Sequence, residues 1–276
     1  VEILIYIVFG ILGLLVGNLS NVFIVRVPLK MKIFNPSFRC DTCKSRIKWY
    51  DNIPLFSFIF LKGHCRNCKS QIPLHYLFVE LINMILWIIC ALLFWHIDML
   101  ATIIFALTCS ILVIIAHIDF SHKIIPDRFI ISLLLLGIIA TIFCGDLPFY
   151  ERLIGFALGG GILLIFYLVG RIISKREVMG LGDIKLMAVA GLIIGWKGIL
   201  LALFTGSILA CVVLLLHQLN KIKKIKMENK NNPQIQVDIT NIKNEEYPLA
   251  PFLVIGIIFA LFVGNFIIEW YTNLFA

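Results

Sequence analysis

Long apolar runs broken by short clusters of charge limit what this chain can become more than any other feature. A bilayer core is roughly 30 Å thick, and about 20 apolar residues cross it as a helix rising 1.5 Å per residue. Runs near 3–25, 77–95, 100–118, 129–144, 152–172, 184–195, 199–219 and 249–272 predict about eight spans, the fourth and sixth being short. Backbone polar groups must be satisfied internally in lipid, and these runs are too long for barrel strands. The expected class is therefore an all-α polytopic membrane protein. Its make-up, 61% hydrophobic and 14% charged, departs from a soluble domain, which is about half apolar and a quarter charged. The first run has no basic segment ahead of it and no small-residue cleavage site behind it, so it is expected to be a span rather than a secretory signal.

Lysine and arginine remain on the cytoplasmic side of a membrane when flanking loops are short. Segment 27–76 carries nine of them against two acids, and 220–247 carries six. With both inside, eight alternating spans also place 119–128 and 171–183 inside, leaving Arg152 and Lys197 opposite. This predicts an inner-membrane protein with both termini outside. The net charge of +8 then reads as topology, with anionic lipid heads as its partner and no nucleic acid. The stretch 220–247, which includes KNNPQ, is expected to be a polar cytoplasmic loop.

Four of the eight cysteines are grouped. Cys40 and Cys43 form C-D-T-C, Cys65 and Cys68 form C-R-N-C, and 21 residues separate the pairs. Two such knuckles bring four thiolates to a tetrahedron around zinc. Four protein ligands leave no open position, so the metal is structural. The alternative is two disulfides, which a reducing cytoplasm disfavours. Residues 27–76 are then expected to be a small zinc-binding domain, too small for much core, for which metal binding supplies folding free energy. Cys90, Cys109, Cys144 and Cys211 lie in or beside apolar spans and read as small buried hydrophobes.

Asp119 closes the third span in AHIDFSHKIIPD, and Asp183 opens the sixth in VMGLGDIKL. They are 64 positions apart yet are assigned to the same side of the membrane. Two carboxylates brought together do not both ionise readily, so one takes a proton from water while the other gives one to a scissile carbonyl oxygen. Gly180 and Gly182 precede Asp183, where backbone must bend or approach a substrate closely. About 12 apolar residues in the sixth span correspond to roughly 18 Å of helix, which suits a site recessed in a wet cavity. The competing reading makes Asp119 a loop or topology charge and Asp183 an N-cap. Asp127 reads as a cap for the fourth helix, Glu80 as an interfacial partner, and His117 and His122 as interfacial side chains.

Taken in order, these motifs resemble the bacterial prepilin peptidases, the GxGD-type aspartic leader peptidases. GNLSNVFIVRVP at 17–28, PSFRCDTC at 36–43, IKWYDNIPLFS at 47–57 and GHCRNCKSQIPLHYLFVE at 63–80 resemble the family's first span and cysteine domain. HIDFSHKIIPD at 117–127, MGLGDIKLM at 179–187 and YPLAPFLVIG at 247–256 resemble its catalytic and last-span motifs. The resemblance implies that Asp119 and Asp183 are the catalytic aspartates, and that Cys40, Cys43, Cys65 and Cys68 are the zinc-type cysteines. It implies removal of a short basic leader from prepilins or pseudopilins, in type IV pilus, type II secretion or competence systems. It also implies methylation of the new N-terminus with S-adenosylmethionine. Asp41 stands where the family commonly has proline, and Ala250 where it often has glycine. The second departure is expected to bear on packing of the last span, not on the aspartates. The implied domains are a first helix over 1–26, the zinc-binding domain over 27–76 and a peptidase domain over 77–276.

Two other classes fit parts of the pattern. A zinc-stabilised transporter would carry polar residues midway through several spans, which are scarce here. A non-catalytic pilus-assembly scaffold would keep the topology without needing the aspartates.

Overall fold

The structure, a computed structural model, describes residues 2–32, 42–43, 45–46, 60–61, 63–71, 73–145, 147–174, 179–231 and 247–275. Among these residues there is no strand, only an isolated bridge between His64 and Gln71. The helices are α1 (Glu2–Arg26), α2 (Leu74–Phe94), α3 (Met99–His122), α4 (Asp127–Phe143), α5 (Phe149–Ser174), α6 (Leu181–Asn231) and α7 (Ala250–Phe275). Proline marks several starts: Pro73 and Pro126 stand immediately before α2 and α4 with φ of −58° and −69°. The ring fixes φ near these values and lacks an N–H, a loss that is harmless where a helix begins. Asp127, expected as a cap, lies inside the first turn of α4 behind Pro126.

Five described helices are long and apolar enough to cross a membrane: Glu2–Arg26, Leu74–Phe94, Met99–His122, Phe149–Ile173 and Leu181–Lys223. The chain is a multi-pass membrane protein. The expected sixth and seventh spans lie on the single long helix α6, interrupted at Gly195 with φ 73° and ψ 177°. That combination belongs to glycine almost alone, so the break sits where the sequence permits it.

Two boundaries differ from expectation. The third span runs past residue 118 to His122, placing Asp119 in the last helical turn. The segment expected as a loop from 220 is helical as far as Asn231, because KIKKIKMENK is built from good helix formers. Residues 232–246, the rest of that expected loop, lie outside the described residues.

The chain forms two compact units. The first comprises Val1–Ile118 and Ile124–Arg152. In it α1 and α2 run antiparallel with backbones almost touching. A Cβ added at Gly13 would lie 2.9 Å from Asn83 O, Met84 Cα and Trp87 Cβ, and one at Gly17 would lie 2.8 Å from Glu80 Cα. Small residues allow such approach in lipid, where dispersion replaces the hydrophobic effect as the packing force. Trp87 donates its indole N–H to Ser110 Oγ at 2.9 Å, tying α2 to α3.

The second unit comprises Asp119–Lys123 and Leu153–Ala276. Gly155 and Gly191 bring α5 and α6 together so closely that a Cβ on either would run into the carbonyl of the other. Gly206 and Gly256 serve the contact of α6 with α7 in the same way.

Candidate active site

Both aspartates belong to the second unit. Asp119 comes from the last turn of α3 and Asp183 from the first turn of α6. Each side chain is 7% exposed, so neither is an ordinary surface charge. An isolated buried carboxylate is expensive, and a pair more so, unless partners or a shared proton compensate. The two groups are near enough for the charge of Asp119 to act on Asp183.

Their immediate partners are different. Asp119 Oδ2 accepts the backbone N–H of Ala250 at 3.2 Å. Ala250 is the first residue of α7, and its amide carries the partial positive charge of a helix start. Asp183 has its own N–H donated to the carbonyl of Gly180 at 3.2 Å, and a Cβ at Gly180 would stand 3.4 Å from Asp183 Oδ2. Asp183 Oδ1 is buried and accepts no hydrogen bond. Gly182 lies in the first turn of α6 beside it. One carboxylate is thus anchored through one oxygen, and the other keeps an acceptor oxygen open to a proton or a reactant.

The Ala250 contact corrects the expectation that this position bears only on packing of the last span. Its side chain is indeed fully buried, but its main chain reaches the aspartate. Only the YPLAP start of the last helix could have drawn attention to it.

Other expected residues lie elsewhere. Glu80 and His117 belong to the first unit, Glu80 buried and His117 with its ring 5.6 Å from that of His75. His122 is exposed. Arg152, assigned from charge topology to the opposite face, is fully buried within α5.

The sulfurs of Cys43, Cys65 and Cys68 all lie within 4.8 Å of one another, whereas Cys40 is outside the described residues. Thiolates about 2.3 Å from a tetrahedral zinc are separated by slightly less than 4 Å, so these three fit as part of a zinc ligand set. Cys43 Sγ and Ser45 Oγ share a hydrogen bond of 2.9 Å, and Cys68 Sγ and Ser70 Oγ one of 3.0 Å. The Ser70 hydroxyl, then its backbone N–H, hold the Cys68 thiol below its ordinary pKa, which favours the thiolate that a metal requires.

Residues 11–94 match the family described as Bacterial Peptidase A24 N-terminal domain, and residues 106–215 match the Type IV leader peptidase family. Curated relatives include three proteins each named prepilin leader peptidase/N-methyltransferase. The one from Myxococcus xanthus is 35% identical over 204 residues, covering 74% of this chain and 60% of that protein. The one from Legionella pneumophila is 28% identical over 292 residues, covering 97% and 94%. The one from Dichelobacter nodosus is 33% identical over 234 residues, covering 74% and 80%. No solved structure matches the chain.

Proposed function

We propose that this chain, which belongs to the type IV leader peptidase family, is a membrane-embedded aspartic endopeptidase that removes the basic leader from prepilins or pseudopilins and methylates the new N-terminus. The observation that carries the reading is the burial of Asp119 and Asp183 in one unit, within electrostatic reach of each other. A non-catalytic scaffold needs no pair of buried acids at two helix ends.

In the reaction, one carboxylate takes a proton from the attacking water as the other, protonated, donates to the scissile carbonyl oxygen. The Ala250 amide fixes the orientation of Asp119, and the open oxygen of Asp183 suits the group that exchanges protons with reactants. Gly180 and Gly182 leave room at the start of α6 for an extended substrate backbone. A prepilin enters as a helix with its basic leader in the cytoplasm, so its cleavage point meets helix ends at the cytoplasmic interface.

That placement uses eight spans in all. A straight helix over 181–223 would be about 65 Å long, roughly twice a 30 Å core. The break at Gly195 supports two spans there, α4 adds another, and α7 completes the set. Lysine and arginine then lie mainly on the cytoplasmic face of the inner membrane, both termini outside. Residues 27–76 form the cytoplasmic zinc domain, with Cys40 as fourth ligand to Cys43, Cys65 and Cys68, and 77–276 the peptidase domain. Zinc there supplies structure by cross-linking the two knuckles. S-adenosylmethionine supplies the methyl group, and no glycine-rich nucleotide loop occurs among the described residues to which it is assigned.

The test is incubation of the purified chain in detergent with a candidate prepilin, read by intact mass. Leader loss and gain of one methyl group are expected. Asp119→Asn and Asp183→Asn should each slow leader removal by a factor on the order of 10²–10⁴. Wild-type rates in either variant would sink the aspartic mechanism.

A further inference from the structure

Among the described residues, three other than glycine adopt a positive φ, and all three are lysines. One of them, Lys69 at φ 58°, stands directly after Cys68 in the second cysteine knuckle. The knuckle is closed by the Cys65 N–H donating to the Ser70 carbonyl at 2.8 Å, by the Lys69 N–H donating to the Cys65 carbonyl at 2.9 Å, and by the bridge between His64 and Gln71. A left-handed backbone suits glycine, and any side chain held there costs conformational energy that glycine does not. The turn requires the conformation but not the lysine, so this side chain stands against its own backbone preference, a sign of a role beyond the turn.

The same lysine borders a hollow of about 450 Å³ lined by Phe60, Leu61, His64, Cys65, Arg66 and Lys69. His64, Arg66 and Lys69 are exposed, and the ring of Phe60 is 82% exposed. The hollow thus joins an apolar wall to a cationic rim. Segment 27–76 holds nine lysines and arginines against two acids. Four thiolates on a zinc add two negative charges, so the segment stays positive however its ion pairs are arranged. Lys69 is five residues from Leu74, at most about 18 Å of extended chain. Leu74 and Phe78, in the first turns of α2, are each 59% exposed, as expected where a helix enters lipid. The hollow is therefore tethered near the headgroup layer, which is roughly 5–8 Å thick on each side of a bilayer core.

We propose that this hollow binds the headgroup of an anionic phospholipid. The phosphate lies at Lys69 and Arg66, whose ammonium and guanidinium match its oxygens, and the glycerol and first acyl carbons lie against Phe60 and Leu61. Free phosphate gains nothing from the apolar wall. The basic leader of a prepilin is repelled by the rim, and so is S-adenosylmethionine, whose sulfonium and ammonium outweigh its carboxylate. A lipid held there pins the cysteine knuckle to the membrane beside the start of α2. The proposal rests on the chain being a membrane protein and not on the peptidase reading.

The experiment offers phosphatidylglycerol or phosphatidylcholine to the full chain, purified in detergent, and counts bound lipid by native mass spectrometry. The wild type should keep a phosphatidylglycerol through a wash that removes phosphatidylcholine. Lys69→Gly should weaken that binding about fivefold, the share of one basic residue at an anionic headgroup, while its zinc content stays at the wild-type level because glycine suits the turn. Lys223→Gln removes one charge from α6 and should leave the binding unchanged. Millimolar inorganic phosphate should not displace the lipid. Equal retention of the two lipids by the wild type overturns the proposal without recourse to any variant. Unchanged binding in Lys69→Gly overturns it too, as does a loss in Lys223→Gln as large as in Lys69→Gly, which would make the effect one of net charge. Displacement by inorganic phosphate would assign the hollow to a free anion and overturn it as well.

Discussion

The Ala250 amide stands at the head of α7, where the first N–H groups of a helix have no partner in their own helix. It reaches Asp119 instead. Proline is tolerated at the first helical position and removes this N–H, but its ring also adds bulk at a fully buried position, so Ala250→Pro is compared per folded molecule. A hydrogen bond to a charged group is worth about 1.5–3 kcal/mol, and Ala250→Pro should lower leader removal per folded molecule by about tenfold or more. Ala250→Gly keeps the N–H and should remain near the wild-type rate; initial rates by intact mass check both. The two aspartates are legible in the sequence because acids beside apolar runs are few. Ala250 is not, because every residue except proline carries the same donor and only the fold decides which one faces a carboxylate.

Helices bound by long apolar runs were placed by sequence to within a few residues, since burial in lipid leaves little choice of conformation, except that α6 runs on to Asn231 through a segment expected as a loop. Their contacts are a different matter. Gly155 and Gly161 lie on one helix, and composition does not tell them apart. A Cβ at Gly155 would stand 2.7 Å from Gly195 C and 2.9 Å from Trp196 N and would strike the Gly191 carbonyl, whereas nothing lies within 4 Å of one at Gly161. Gly155→Ala should therefore cost about 1–3 kcal/mol by overpacking. Gly161→Ala should be neutral or slightly stabilising, since alanine favours helix. Thermal unfolding in detergent separates them: equal midpoints would mean that α5 and α6 do not meet there. The break at Gly195 falls where the sequence leaves a gap between the apolar runs 184–195 and 199–219, with Lys197 inside it. The φ of 73° that produces it could not be read from residue types.

Over the whole chain, charge asymmetry gives an orientation that single cysteines can check. With the native cysteines replaced outside the zinc cluster, Gly145→Cys should react with an impermeant maleimide added outside spheroplasts, and Lys30→Cys should react only after lysis. The reverse pattern would invert the topology and place the aspartates on the wrong face. Cys43→Ser or Cys65→Ser should lower zinc per purified molecule, by elemental analysis, and with it the yield of folded protein. An unchanged zinc content would remove these residues from the ligand set. The tight contact of α1 with α2 also has a consequence for how the molecule is made. Residues 27–73 separate the two helices, so at about 5–20 residues per second α1 waits in the membrane for about 2–9 s before its partner emerges. Throughout that interval Asn21 is without the Tyr76 carbonyl to which it donates in the folded protein, and the close-packing face at Gly13 and Gly17 has no α2 to cover it.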